Sequence, residues 1–152
     1  RVYLLIKLFT STGLPVHELE QVTVEAAGEG VLLLPGEAMP QRLPDCLRRE
    51  LLDYARRQGL TAGPGFCTRN GKGMSRTQVT EEIQTLCHDA RVEEEKGTPR
   101  CLRKLYLATQ AEVERGVRLL AEQSYERMLD TEQLAAGWAE GTGHSIHKDV
   151  YI

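Results

Sequence analysis

Paired cysteines of the kind that hold zinc are absent from this chain, and so is any strong excess of positive charge. Cys46, Cys67, Cys87 and Cys101 stand far apart with no C-x-x-C spacing, which argues against a zinc framework. Each lies in or beside an apolar stretch, so reduced, buried thiols in a cytosolic protein are expected. The formal net charge is −3. A dedicated non-specific nucleic-acid binder would be strongly basic, although a local basic face remains compatible with that balance. No apolar run reaches membrane length and no signal peptide is present, so no membrane partner is expected. There is no phosphate-loop signature, internal repeat, low-complexity tract or nucleophile elbow. His144 and His147 lie three apart in a glycine-rich tail without a second ligand cluster, so no metal or cofactor is expected.

What is present is an ordinary globular composition. The 152 residues are 41% hydrophobic and 27% charged, which suits one domain with a real core. The chain starts at Arg1, without a methionine and already inside a helical pattern, as expected of a domain cut from a longer protein. Charge is uneven. Residues 66–118 are slightly basic, while Glu122, Glu126, Asp130, Glu132, Glu140 and Asp149 dominate the remainder.

Hydrophobic spacing predicts a helix over residues 1–9 and a short second helix from Pro15 to about Val22. Three short strands are expected next, at residues 23–25, 31–34 and 41–43, joined by turns at Gly28, Gly30 and Pro35-Gly36 into an antiparallel meander. Asp45 is expected to cap a helix that Gly59 stops. Residues 60–73 form a loop anchored by Phe66. Ser75 and Gln78 make a capping box for a helix whose apolar stripe is Val79, Ile83, Leu86, Cys87 and Ala90. A helix from Pro99 is expected to break or kink at Gly116. A further helix follows, and Asp130 is expected to cap a last short one containing Leu134 and Trp138.

The chemistry concentrates at Thr98-Pro99-Arg100-Cys101-Leu102-Arg103-Lys104-Leu105-Tyr106. Thr98 suits an N-cap and Pro99 the first helical position. Arg100 and Arg103, three apart, share a face with Lys104 beside them, next to a helix start that already favours anions. Two guanidinium forks and an ammonium there make a phosphate-binding arrangement. Arg69-Asn70-Gly71-Lys72-Gly73-Met74-Ser75-Arg76 adds a second basic loop, in which Lys72 and Arg76 could touch a phosphate backbone. His17 and His88 read as surface or packing histidines, and Tyr125 as a packed helical residue.

Four strings, in order, resemble the catalytic domain of tyrosine recombinases, the phage-integrase family, over about residues 1–135. Thr12-Gly13-Leu14-Pro15-Val16-His17-Glu18-Leu19 is similar to the family's T-G-L-R-x-x-E-L junction. The expected meander follows. Phe66-Cys67-Thr68-Arg69-Asn70-Gly71-Lys72-Gly73-Met74-Ser75 resembles its F-x-x-x-x-G-x-x-[LM]-[ST] loop. Thr98-Pro99-Arg100-Cys101-Leu102-Arg103-Lys104 resembles T-P-H-x-L-R-H. The resemblance implies an α+β, mainly helical fold with a small three-stranded antiparallel sheet. The integrase-like domain would span residues 1–138, and a tail of residues 139–152 would be exchanged with a neighbour in a homo-oligomer. It also implies a bacterial, phage or mobile-element protein acting in the cytoplasm, with duplex DNA as partner and no cofactor.

The family's tyrosine attacks a DNA phosphodiester while two arginines, a lysine and histidines stabilise the charge that gathers on phosphorus. Carried onto this chain, that set is mostly replaced. Pro15 stands at the first arginine, Glu37 lies in the turn of the lysine, and Arg100 replaces a histidine. Glu122 falls at the later histidine and Thr131 at the nucleophile, while Arg103 is retained. An alternative register uses Gly143-His144-Ser145-Ile146, which echoes the family's G-H-S-S-I, and makes Tyr151 the nucleophile with His144 beside it. The expectation is therefore a DNA-binding relative of site-specific recombinases with impaired or absent strand cleavage, its grip supplied by Arg100, Arg103, Lys104, Lys72 and Arg76. Two rivals stand beside it. One is an active recombinase using Tyr151 or a partner subunit's groups. The other is a protein-interaction module on the same scaffold.

Overall fold

In a computed structural model, which describes residues 1–137, the chain is mainly helical with one small antiparallel sheet. His144 and Tyr151, and with them the alternative register, lie outside the described residues, as does Trp138. Two compact units divide the chain, Arg1–Thr109 and the residues from Gln110 onward.

The first unit is built around α1 (Val2–Thr12). This helix is apolar around most of its circumference, and such a helix must be enclosed. Leu4, Leu5, Leu8 and Phe9 are all buried, the last three completely. The helix packs on α3 (Asp45–Arg57) and α4 (Arg76–Asp89). α3 turns Leu47, Leu51 and Ala55 inward, and α4 turns Val79 and Ile83 inward. Phe66 is buried as expected and stacks with Tyr54, ring centroids 5.9 Å apart, which pins the long loop to α3. The Ser75–Gln78 capping box forms in full. The apolar stripe of α4 is shorter than expected, because Ala90 is exposed and Leu86 and Cys87 are only half-buried.

Residues 23–25 are not a strand. Thr23 instead caps α2 (Val24–Glu29), its Oγ1 accepting from the Ala26 N–H at 3.1 Å. The β-branched run at residues 22–24 does find extended pairing, but with the loop. Thr23 bridges Pro64, the Val24 N–H donates to Gly63 and the Gly65 N–H to Val22. The expected meander is thus a two-stranded hairpin of β1 (Val31–Leu32) and β2 (Gln41–Arg42), with Val31 opposite Arg42. Its connection turns at Pro35-Gly36, where the Glu37 N–H donates to Leu34 and Gly36 adopts φ 82°. That is the conformation for which a Pro-Gly pair is suited.

Asp45 does not cap α3. Pro44 holds that position without a side-chain bond, and Asp45 lies in the first turn, where a carboxylate suits the helix dipole. The short second helix is a 3-10 helix, Val16–Gln21, entered from Pro15. α5 runs unbroken as Pro99–Ala136, so neither the break at Gly116 nor a separate Asp130-capped helix occurs. Gly116 keeps helical backbone, and nothing approaches the place where its Cβ would be. Its cost is only propensity, about 1 kcal/mol against alanine. None of the four cysteines is buried. All are free thiols, Cys46 exposed and the others half-exposed, because each lies at the edge of its helix's apolar stripe or in the loop. Tyr125 is exposed, not packed. No helix among the described residues is long and apolar enough to cross a membrane.

Candidate nucleic-acid interface

The T-G-L string forms the hinge of the site. The Thr12 hydroxyl donates to the Leu8 carbonyl at 2.7 Å and accepts from the Leu14 N–H at 3.2 Å. Gly13 ends α1 in the left-handed conformation, φ 65°, its N–H donating to Phe9 at 3.0 Å. A Cβ on Gly13 would lie 2.2 Å from Cδ1 of Tyr106, so the tyrosine ring of α5 rests directly on this turn. On the other side, the Gln41 amide donates to the Thr12 carbonyl and ties the hairpin to the same turn.

These two attachments flank a cleft of about 660 Å³, lined by Gly13 and Pro15 from the turn after α1, by His17 and Glu18 from the 3-10 helix that follows, by Glu37 and Met39 from the hairpin loop, and by Arg103 and Tyr106 from α5. Pro15, Glu37 and Arg103, distant in sequence, therefore meet at one place. Tyr106 follows Arg103 by three residues, which puts both on one helix face. His17 and Glu18 form a contact of 3.3 Å, with the Glu18 side chain largely covered and that of His17 half-exposed. No carboxylate among the described residues lies within ion-pairing distance of Arg103. The cleft thus offers one guanidinium, an imidazole and two carboxylates. That set can hold a single anionic oxygen through Arg103, but it cannot surround a phosphorus centre with positive charge.

The remaining basic residues do not line this cleft. Thr98 caps α5 as expected, accepting from the Cys101 N–H at 3.3 Å, with Pro99 buried at the first helical position. Arg100 and Lys104 project from the following turns and are exposed. Lys72 and Arg76 are exposed on the loop and at the start of α4. The loop is held by the Thr68 N–H donating to Lys72 at 2.7 Å and the Gly71 N–H to Thr68 at 3.0 Å, and Arg1 donates to the Cys67 carbonyl from outside. Arg69 lines a separate cavity of about 390 Å³ with Arg1, Asn70, Glu81 and Glu82, where Arg1 and Glu82 are ion-paired. Its charge is locally balanced.

Glu122 and Thr131 belong to the second unit and are both exposed. The Thr131 hydroxyl donates to the Arg127 carbonyl at 2.8 Å, an ordinary helical back-bond. His88 is exposed beyond the end of the α4 stripe. Among the described residues no group of three or more His, Cys, Asp and Glu side chains is gathered to hold a metal ion.

Sequence reasoning passed over Tyr106, Glu18, His17 and Met39 as members of the cleft. Tyr106 carried a signal, its spacing from Arg103. Glu18 carried one as well, in its place within the junction string. Met39 carried none, since an apolar residue in a turn is uninformative until the turn is placed. No protein-family model matches this chain, and neither a curated protein nor a solved structure does so.

Proposed function

We propose that this chain is a degenerate tyrosine-recombinase-type domain that binds duplex DNA through its phosphates and has little or no strand-cleaving activity. The supporting observation is the meeting of Pro15, Glu37 and Arg103 at one cleft. Their sequence separation makes that meeting a product of the fold, and they are the positions the T-G-L, hairpin-turn and T-P-x-x-L-R resemblances assign to the charge-stabilising set. Proline and glutamate in place of two cations remove the stabilisation of a charged transition state. Each such group is worth about 10²- to 10³-fold in rate. A phosphate approaching Arg103 meets Glu37 as well, so Arg100, Lys104, Lys72 and Arg76 supply the rest of the grip from the exposed surface. The same reading sets the protein in the cytoplasm, encoded by a bacterial, phage or mobile element. The same reading has residues after Gly137 engage a neighbouring copy.

Fluorescence anisotropy of a labelled duplex over a salt series tests the proposal. Binding should weaken steeply with salt, and Arg100→Ala/Arg103→Ala should reduce the log–log slope by about two, one per lost phosphate contact. A salt-independent or undetectable interaction would refute it. A nicked suicide substrate should yield no covalent adduct. An adduct abolished by Tyr151→Phe would establish the active-recombinase reading instead.

A further inference from the structure

The second unit carries an apolar seam that nothing in the described chain covers. On α5, Val113, Val117, Leu120 and Met128 are 59%, 61%, 64% and 62% exposed. At 3.6 residues per turn these four fall within an arc of about 80° and run along about 22 Å of helix. Ser124, a small residue, falls in the same arc between Leu120 and Met128. A helix in water gains its stability mainly from burying such a face, and an exposed apolar strip of this kind marks an interaction surface.

The edges of the seam say what covers it. Glu112 and Asp130 lie about 100° to one side of Val113, and Glu114 and Glu132 about 100° to the other. Among residues 110–136 six carboxylates face three guanidiniums. Arg115 and Arg118 fall on the far side of the helix. Among the described residues of this unit, Arg127 is the one cation close to the seam. Glu112 is engaged by Arg115 at 2.7 Å, but both side chains are about 70% exposed, and such a pair exchanges partners at little cost. A second copy of this helix would oppose like charges whichever way it ran, Glu112 against Glu114 when parallel and Glu112 against Asp130 when antiparallel. Edge charges of this kind set partner choice between packed helices.

We infer that this face of α5 docks an amphipathic helix of another protein whose apolar stripe is flanked by lysine or arginine on both sides. The seam supplies the affinity and the four edge carboxylates supply the selection. The inference does not rest on the DNA grip proposed for the first unit.

The test uses the full chain and two labelled synthetic helical peptides with the same leucine stripe, one flanked by lysines and one by glutamates. At about 50 mM salt the lysine-flanked peptide should bind about tenfold tighter or more, and the difference should shrink at high salt. Val117→Gln/Leu120→Gln, both at exposed sites, should weaken it at least tenfold while circular dichroism shows the helix retained. Glu112→Lys/Glu114→Lys/Asp130→Lys/Glu132→Lys should reverse the preference. Equal binding of the two peptides, no binding of either, or indifference to Val117→Gln/Leu120→Gln would overturn the inference. So would a dimer that Val117→Gln/Leu120→Gln dissociates, which would make a second copy the occupant. Tight binding only after removal of the residues beyond Gly137 would likewise overturn it, in favour of the chain's own tail.

Discussion

Replacing Gly13 by alanine probes the joint on which the cleft depends. Two costs combine. At φ 65° an L-residue sits in left-handed backbone, a penalty of about 1 kcal/mol or somewhat more. The new Cβ would also fall 2.2 Å from Cδ1, 2.7 Å from Cε1 and 3.1 Å from Cγ of Tyr106. The overlap reaches the root of the ring, so the ring cannot escape by moving its tip. Tyr106 must leave its position or α5 must shift, at about 1–3 kcal/mol for overpacking. Gly13→Ala should therefore destabilise the fold by about 2–4 kcal/mol, measured as the loss of unfolding free energy in urea. A double-mutant cycle with Tyr106→Ala separates the two costs. Without the ring only the backbone term remains, so the double variant should be more stable than the sum of the singles predicts by about 1–3 kcal/mol. If the two substitutions add within about 0.5 kcal/mol, the contact between the T-G-L turn and α5 is refuted, and with it the enclosure of the cleft.

Gly116→Ala should strengthen α5, because the backbone there is helical and the added methyl meets open space. Hydrogen exchange of the neighbouring amides should slow about fivefold, matching about 1 kcal/mol of propensity, and unchanged or faster exchange would argue for a break at this residue. Glu25 gives a pH signature. Hydrogen bonds from its own backbone N–H and from that of Gly63 hold its carboxyl below the ordinary glutamate range, and both its oxygens accept from Gly63, at 3.0 and 3.1 Å. With the folded value below the unfolded one of about 4.3, the unfolded state binds more protons in between. The stabilisation is complete above the unfolded value and is lost as pH falls through the folded one. Glu25→Gln should accordingly flatten the dependence of urea stability on pH below about 4.5, and an unchanged acid slope would contradict the contact.

Much of the local structure was legible because it is written in neighbouring residues. The Ser75–Gln78 box, the Thr98-Pro99 helix start, the burial of Phe66 and the Pro35-Gly36 turn each need only a few adjacent side chains. Errors arose where a local signal had two outlets. The β-branched run at residues 22–24 predicted a strand. Thr23 instead spent its extended backbone on a helix cap and its pairing on Pro64, a partner some forty residues away. Gly116 and Asp130 are ordinary helix-breaking and helix-capping types, yet neither ends α5, since one poorly disposed residue costs about 1 kcal/mol and a long helix absorbs it. The cysteines and Tyr125 were expected inside because apolar neighbours surround them in sequence. Which side of a helix faces the core is settled by what packs against it.

By itself, then, the sequence determined α1, α3, α4 and the start of α5, the Ser75–Gln78 and Thr98 caps, and the Pro35-Gly36 turn. These depend on periodicity and on hydrogen bonds within a few residues. Only the tertiary structure decided that Pro15, Glu37 and Arg103 line one cleft, that Tyr106 rests on Gly13 there, and that Arg100, Lys72 and Arg76 lie outside it. Those relations depend on how α1, the hairpin and α5 pack. Such packing is chosen by the summed burial of Leu5, Leu8, Phe9 and their neighbours, which no short stretch of chain contains.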